Sequence, residues 1–326
     1  MAMRKAKASK IGGKFLCYGE TGSGKSWFQL TFPDVAVIDS ETGVAMYEGE
    51  DLTLNNGKTY NNLVLVDNTS DLDDLEADLD AFLDGEYDNV VKTLGIDSET
   101  KFYGTMQVCA TEVEERKARA KGGAVDDAVV SQRQWGRIKI INMKLQQAKI
   151  DLSARGIHVV SIAQATDERD KTGEKVIGIK PDMHKSVKFD YDTVLEFFAK
   201  EEKDGVHYYA KVLKDRTNVT KRGDIIENPC YDIWKPYFDK KNGLETNQTS
   251  YRKDIDNSTE SMVDDASKTE KLVEAFKEEM AKIAKEPSKA KLVKEKANEL
   301  KVDLKALDLE SSDKVAKLVA FVKSLV

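Results

Sequence analysis

The residues at positions 19–26 have the types and the spacing of a phosphate-binding loop. They read Gly-Glu-Thr-Gly-Ser-Gly-Lys-Ser, which fits the pattern G-x-x-x-x-G-K-S. An apolar run at 15–18 precedes the motif and predicts a buried strand, and the residues at 27–30 predict a first helix turn after it. Because the motif has meaning only in this strand–loop–helix context, the sequence predicts a site for a nucleoside triphosphate.

Each residue type in this loop has a chemical task. Glycines let the backbone curl so that N–H groups point at phosphate oxygens, and the following helix adds the positive end of its dipole. Lys25 is predicted to reach the β- and γ-phosphates and Ser26 to ligate Mg²⁺, so the predicted cofactors are ATP and Mg²⁺. The predicted nucleotide-binding residues are Gly19, Glu20, Thr21, Gly22, Ser23, Gly24, Lys25, Ser26 and Trp27.

Carboxylates follow two of the predicted strands. Asp97 ends the apolar run at 90–96, where a second Mg²⁺-orienting acid is expected. Glu41, Asp39 and Glu99 are candidates for the general base that takes a proton from the attacking water. Their positions alone leave the choice among the three open.

A neutral amide and two cations follow other strands. Gln164 ends the strand predicted at 157–162, where an amide could sense the γ-phosphate, although an ordinary polar residue fits equally well. Lys214 and Arg216 are two residues apart at a strand end, so their side chains are expected to point the same way. Such a pair suits a γ-phosphate held by a neighbouring subunit, and a solvated basic pair is the alternative.

The elements that must position these groups alternate between strands and helices, which predicts an α/β fold with a mostly parallel central sheet. Ligands bind at the carboxyl ends of strands in such sheets, so every cluster is expected at that edge. The composition then becomes rich in Asn, Ser and Thr, and later in Lys, Glu and Leu. The predicted domains are an ATPase core at 1–241, a flexible polar linker at 242–266 and a small helical bundle at 267–326.

Composition narrows the class of protein. The 326 residues are 40% hydrophobic, and no apolar run reaches the length needed to span a membrane. The net charge of -7 argues against a protein that coats nucleic acid with its whole surface, but it leaves room for a local basic groove. The three cysteines are far apart and show no metal-binding spacing, which favours a reducing cytoplasm.

The core resembles the RecA-like ATPases, and in particular the phage nucleotide-binding proteins of the Sak-type, RecA-like single-strand annealing group. The resemblance runs from Lys14 to Phe238 and is carried by the P-loop, Val37-Ile38-Asp39-Ser40-Glu41, Ile96-Asp97-Ser98, Val160-Ser161-Ile162-Ala163-Gln164 and Lys214-Asp215-Arg216. It implies a RecA-like P-loop fold in which Glu41 is the catalytic base and Gln164 couples ATP to a DNA-binding loop. It also implies that Lys214 and Arg216 reach the ATP of the neighbouring subunit.

The same resemblance implies two DNA-binding loops, at 110–132 and 165–188. The residues expected to face DNA phosphates are Arg116, Lys117, Arg119, Lys121, Lys171, Lys175, Lys180 and Lys185. For any one of these lysines a solvated charged loop is the alternative. The loops hold almost no aromatic residues, and Trp135 is the nearest candidate for base stacking.

Two features differ from the RecA pattern. Only a short segment precedes the first strand, where RecA subunits carry an arm for polymerisation, and Ala163 replaces an asparagine before the glutamine. The resemblance leaves ring or filament open.

The hypothesis is a phage recombination ATPase in the cytoplasm of a bacterial host. It forms homo-oligomers, binds ATP and Mg²⁺ between subunits, and holds single-stranded DNA for annealing or strand pairing. The C-terminal helices are expected to bind a partner such as a single-stranded-DNA-binding protein. The alternatives are a helicase-like or loader motor and a scaffold that binds ATP only to assemble.

Overall fold

The computed structural model describes residues 5–122, 125, 128–185, 187–246, 250–283 and 286–325, without the side chains of 261–267 and 309. The chain divides into two compact units, Met1–Ser250 and Tyr251–Val326. No described helix combines the length and the apolar character that crossing a bilayer requires.

Strands and helices alternate through the first unit. The strands are β1 Lys14–Gly19, β2 Val35–Asp39, β3 Leu52–Thr53, β4 Thr59–Tyr60, β5 Leu63–Asp67, β6 Thr93–Asp97, β7 His158–Arg169, β8 Val176–Pro181, β9 Thr193–Glu202, β10 Gly205–Asp215 and β11 Ile225–Glu227. The α-helices are α1 Lys25–Leu30, α2 Leu72–Asp84, α3 Glu99–Ala120, α4 Gln132–Ala154 and α5 Lys235–Asp239. Short 3-10 helices span Val44–Tyr47, Val187–Phe189 and Tyr231–Ile233.

The central sheet has the strand order β11-β10-β9-β1-β7-β6-β2-β5, and β8 pairs with the far part of β7. The six strands from β9 to β5 run parallel to one another, whereas β10 and β11 are antiparallel additions at one edge. All residues of β1, β2 and β6 are buried, as expected for parallel strands with both faces covered. The predicted α/β class with a mostly parallel sheet is therefore confirmed.

Apolar clusters cover both faces of this sheet. On one face Phe15, Phe28 and Trp234 meet, with the Phe15 and Trp234 ring centroids 5.4 Å apart. On the other face the helices α2, α3 and α4 pack leucines and phenylalanines against β2, β6 and β7. Burial of these side chains contributes roughly 1.5–3 kcal/mol each, so the two layers hold the strand ends of the site in place.

The helix after the P-loop packs closely on the strand that ends in Asp97. The side chain of Gln29 in α1 is fully buried and lies over Gly95 of β6, where a Cβ would come within 1.6 Å of the Gln29 amide nitrogen. Glycine at position 95 therefore fixes the approach of α1 to β6. This contact sets the relative positions of Ser26 and Asp97.

The loop predicted at 110–132 is largely helical. α3 continues to Ala120, and α4 begins at Gln132 with Ser131 as its cap. Ion pairs at helical spacing, such as Arg116 with Glu112 and Arg119 with Glu115, explain the extension. The sequence contains these charges at helical spacing, so the expectation of a loop at 110–132 is wrong for residues 110–120.

The loop predicted at 165–188 contains a β-hairpin. β7 continues past Gln164 to Arg169, and β8 returns antiparallel to it. The side chain of Asp170 accepts hydrogen bonds from the backbone N–H groups of Thr172 and Glu174, which closes the turn. The polar composition of 165–188 predicts a loop, although the short apolar run Val176-Ile177 lies in the returning strand β8.

The second unit is helical, with α6 Tyr251–Ile283, α7 Pro287–Leu300, a 3-10 turn Leu307–Leu309 and α8 Ser312–Lys323. Its core includes Phe276, Ile283, Val293, Val315 and Leu318. Residues 251–266 belong to α6, so this part of the predicted linker 242–266 is helix. The polar composition of these residues predicts a flexible linker, whereas the structure continues the helix through them.

Replacing Gly95 with alanine should destabilise the first unit by about 1–3 kcal/mol, because the new methyl group overlaps the buried Gln29 amide. Gly104→Ala is the matched control: Gly104 lies within α3 with open space around its Cβ position, so stability should rise by up to about 1 kcal/mol. Chemical denaturation followed by tryptophan fluorescence reports on this unit, since Trp27, Trp135 and Trp234 all lie in it. Equal stabilities for the two variants would contradict the packing argument.

Candidate functional site

The phosphate-binding loop joins β1 to α1 through two glycines that the backbone requires. At Gly19 a Cβ would lie 2.1 Å from the carbonyl oxygen of Phe197 in β9. Gly24 caps α1 with a φ of 88°, a left-handed conformation that residues with side chains rarely adopt. The strand, loop and helix that the motif predicted are all present.

Lys25 folds back over this loop. Its Nζ donates to the carbonyl oxygens of Gly19 at 3.0 Å and Glu20 at 2.6 Å. Burial lowers the pKa of Lys25, and the carboxylates of Asp97 and Glu41 oppose that shift. Phosphate oxygens would be stronger acceptors for this ammonium than the neutral carbonyls, because their charge offsets its desolvation.

Ser26 and Asp97 meet at the base of the loop. The Ser26 hydroxyl donates to Asp97 Oδ2 at 2.8 Å, and Asp97 is buried. Burial raises the pKa of Asp97 to about 6, the neighbouring Glu41 and Asp39 add to the rise, and the hydrogen bond from Ser26 opposes it. Two adjacent oxygen ligands, one of them an acid that burial leaves short of compensating charge, fit a hard divalent cation such as Mg²⁺.

Glu41 is held by groups from two other strand ends. Its Oε1 accepts hydrogen bonds from the hydroxyl of Ser98 at 2.7 Å and from the amide of Gln164 at 2.9 Å. Ser98 directly follows β6, and Gln164 follows the buried residues of β7. The side chain of Glu41 itself is exposed. The carboxylate is thus oriented and still open to water.

The other two candidates for the general base are occupied by structural contacts. Buried Asp39 accepts the backbone N–H groups of Glu41 at 2.9 Å and Val44 at 2.8 Å. Glu99 is buried and forms an ion pair with Lys149, and the Tyr191 hydroxyl donates to the same carboxylate at 3.1 Å. Of the three candidates, Glu41 alone has a solvent-exposed side chain.

Lys214 and Arg216 lie toward the amino-terminal ends of the parallel strands. This is contrary to the expectation that every cluster lies at the carboxyl ends of those strands. β10 is antiparallel to β9, and Lys214 pairs with Val194, which in turn pairs with Leu16 early in β1. At about 3.3 Å per residue, the pair is on the order of 10 Å along the strand from Gly19 of the same chain. The sequence showed a strand end but not the direction of that strand.

A short segment after the hairpin holds both cations. Lys214 Nζ donates to the carbonyl oxygens of Phe189 at 3.1 Å and of Tyr191, and Arg216 donates to Asp192 at 3.2 Å. Burial lowers the pKa of Lys214, and the positive charge of Arg216 lowers it further. The two side chains therefore contact the same short segment, 189–192.

The residues predicted to bind DNA fall into two electrostatic groups. On α3, Arg116, Lys117 and Arg119 each form an ion pair with a glutamate of the same helix, and Lys121 caps that helix. The hairpin residues Lys171, Lys175, Lys180 and Lys185 have no ion pair within the described part of the chain. Within the described residues, three of the four cations of the first group are therefore paired, whereas none of the second group is.

Two contacts near the site are not predicted by the sequence. Ser98 belongs to the segment Ile96-Asp97-Ser98, and its hydrogen bond to Glu41 is visible only in the structure. The Thr100 hydroxyl donates to Asp182 O at 2.7 Å and accepts from the backbone N–H of Gln164 at 2.9 Å, so it ties the base of the hairpin to α3. No sequence pattern marks such a bridge, because it depends on the fold.

The strand–loop–helix, the Ser26–Asp97 pair and the oriented Glu41 define a protein of the P-loop ATPase class. The family model described as "AAA domain" matches residues 11–222, which is more than half of the chain. The chain belongs to this AAA domain family, and the family implies a nucleotide and a divalent metal as cofactors.

The comparisons with curated proteins and with solved structures add no further family assignment. No curated protein matches the chain. Among solved structures, the crystal structure of the RadB recombinase is similar with a TM-score of 0.41 and 14% sequence identity, and the match covers 67% of this chain and 87% of that chain.

Mg²⁺-dependent nucleotide binding should weaken as the pH falls through about 6, because the raised pKa means that Asp97 loses its negative charge there rather than near 4. Above that pH the carboxylate is ionised and available to the metal. Titrations with a fluorescent ATP analogue at constant Mg²⁺ measure this dependence. Asp97→Asn should bind weakly at every pH, and an affinity of the unmodified protein that stays constant down to about pH 5 would contradict the assignment.

Proposed function

We propose that this protein is a RecA-like recombination ATPase of the phage Sak-type group, which couples ATP turnover to binding of single-stranded DNA. The observation that carries the proposal is the hydrogen bond between Glu41 and Gln164. Gln164 lies where β7 leaves the buried sheet and enters the lysine-bearing hairpin. One side chain thus contacts both the candidate base and the candidate DNA-binding element.

In the proposed hydrolysis, Glu41 accepts a proton from water as the water oxygen attacks the γ-phosphorus and the bond to the β–γ bridging oxygen breaks. Lys25 holds the β- and γ-phosphates. Ser26 and Asp97 would hold Mg²⁺, which supplies charge neutralisation at these phosphates when bound. Ser98 keeps the Glu41 carboxylate in place.

The site is proposed to be completed by a second copy of the chain. Lys214 and Arg216 lie at the sheet edge opposite to the loop of their own subunit, which leaves them available to a neighbour's γ-phosphate. The ammonium of Lys214 donates to neutral carbonyls, and the carboxylates of Asp192 and Asp190 are its nearby negative charges. A phosphate from the neighbour would be a stronger acceptor than those carbonyls.

DNA is proposed to bind the hairpin and to act on the base through Gln164. A shift of β7 moves the amide, and with it the Glu41 carboxylate. ATP would order the hairpin for annealing or strand pairing, and hydrolysis would release it. The second unit, with its own apolar core, is proposed to bind a partner such as a single-stranded-DNA-binding protein.

Glu41→Gln should keep nucleotide affinity and ATP-dependent binding of oligonucleotides, but its turnover should fall by about 10²–10⁴-fold. Lys25→Ala is the counterpart, because it should lose both nucleotide binding and the part of DNA affinity that depends on ATP. Phosphate release and fluorescence anisotropy of a labelled oligonucleotide measure the two properties. DNA affinity that is independent of ATP in the unmodified protein would remove the coupling.

Mixing two inactive variants tests the shared site. Lys25→Ala retains the cations, and the double variant Lys214→Gln/Arg216→Gln retains the loop, so a mixture should regain ATPase activity at interfaces that combine the intact halves. A mixture of Lys25→Ala with Glu41→Gln is the control, since both changes damage the same side of the interface. Activity that does not recover in the first mixture would contradict action between subunits.

A further inference from the structure

Three aromatic side chains lie beside the phosphate-binding loop, and the hydrolysis proposed above does not use them. Trp27 is in α1, Tyr47 ends the 3-10 helix after β2, and Tyr208 is in β10. The Trp27 and Tyr208 ring centroids are 5.1 Å apart, and the Trp27 indole N–H donates to the Tyr47 hydroxyl at 2.6 Å. These three residues form the aromatic cluster. All three are half-buried, so each keeps part of its surface open to solvent.

Tyr208 lies directly on the phosphate-binding loop. A Cβ at Gly24 would be 3.3 Å from Cδ1 of the Tyr208 ring. Tyr208 pairs with Ala199 of β9, and Phe197, two residues earlier in β9, pairs with Gly19. Tyr208 is therefore about 7 Å beyond Gly19 along the strand direction, at the carboxyl edge where such sheets bind their ligands.

The groups proposed to act at the γ-phosphate indicate on which side the nucleoside lies. Gly19 at the end of β1 pairs with Gln164 of β7 on one side and with Phe197 of β9 on the other. Gln164 and its hydrogen-bond partner Glu41 are on the β7 side. Because the nucleoside is attached to the other end of the triphosphate, it is expected toward β9 and β10. Tyr208 is on that side of the loop.

The aromatic cluster also holds the Tyr208 ring in place. Trp27 and Tyr47 pack against the apolar core on this face of the sheet, and the hydrogen bond between them orients the Trp27 ring. Tyr208 packs against that ring and against the loop. A supported, partly exposed aromatic ring next to a triphosphate suits the flat face of a nucleobase. A two-ring base gains more stacking area than a one-ring base, which favours purines.

We propose that the base of the bound nucleotide stacks on Tyr208, which Trp27 supports, and that the preferred substrate is a purine nucleoside triphosphate. The inference rests on the proposed ATPase function and adds the group that recognises the base.

The next residue of β10 provides a matched control. Tyr209 is also a half-buried tyrosine, but successive residues of a strand point to opposite faces of the sheet. Its ring stacks on Phe198 with the centroids 5.4 Å apart. A change at Tyr209 therefore alters the same strand without removing a member of the aromatic cluster.

The test measures the affinities for ATP, CTP and inorganic tripolyphosphate, each with Mg²⁺, by isothermal titration calorimetry. Tripolyphosphate has no base, so it reports on the loop alone. Tyr208→Ala should weaken ATP binding by at least about fivefold, as expected for the loss of one base–aromatic stack, and should leave tripolyphosphate binding unchanged. It should also remove most of the preference for ATP over CTP. Tyr208→Phe, which keeps the ring, and Tyr209→Ala should both bind ATP like the unmodified protein.

Several outcomes would overturn the inference. If Tyr208→Ala binds ATP as tightly as the unmodified protein, no base stacks on this ring. If Tyr208→Ala weakens ATP and tripolyphosphate binding equally, the ring supports the loop and does not recognise the base. In both cases the proposed function stands. If the unmodified protein binds ATP and CTP equally, the purine preference is wrong. If it binds neither ATP nor tripolyphosphate, the proposed function and the inference fail together.

Discussion

One carboxylate oxygen joins three strand ends at the nucleotide site. Glu41 follows β2, and its Oε1 accepts hydrogen bonds from Ser98 after β6 and from Gln164 in β7. These three strands are neighbours and run parallel, and the register pairs Asp39 with Asp97. A shift of one residue in any of the strands would turn a polar group away from the others, so the chemistry depends on the sheet register.

The cations at the far edge of the sheet are connected to this centre through a buried cluster. Glu99 follows Ser98 directly, and its carboxylate holds Lys149 and the Tyr191 hydroxyl inside the protein. The backbone carbonyl of Tyr191 accepts a hydrogen bond from Lys214. Removing one partner of the buried Glu99–Lys149 pair would leave an uncompensated charge, so a change at this cluster would be costly to stability.

The sequence predicted those parts of the site that depend on local pattern. The P-loop, Asp97 at a strand end and the α/β alternation follow from spacing and from runs of apolar residues over short distances. Position alone leaves Glu41, Asp39 and Glu99 open as candidates for the general base, because only the fold decides that Asp39 and Glu99 are buried. Lys149 stands at helical spacing from Leu145 on the buried face, yet only the packed structure reveals its partner.

Two kinds of prediction were wrong. One is a loop predicted from polar composition where the structure has regular elements, and the other is a location that depends on the direction of a strand. The turn at Asp170 and the returning strand β8 have a composition that is also typical of loops. The direction of β10 is set by its pairing with β9, so the location of Lys214 and Arg216 could not be read from a strand end alone. The glutamates three and four residues before the cations of α3 are visible in the sequence, and their spacing predicts the ion pairs that the structure shows.

The close approach of β9 to the first residue of the P-loop bears on how substitutions in the motif should be interpreted. A side chain at Gly19 would collide with the backbone of Phe197, a residue of the protein itself. The packing of β9 against β1 therefore requires glycine at this position, independently of any bound nucleotide. Inactivity after its replacement would reflect a disturbed scaffold, whereas a change at Lys25 tests the proposed phosphate contact directly.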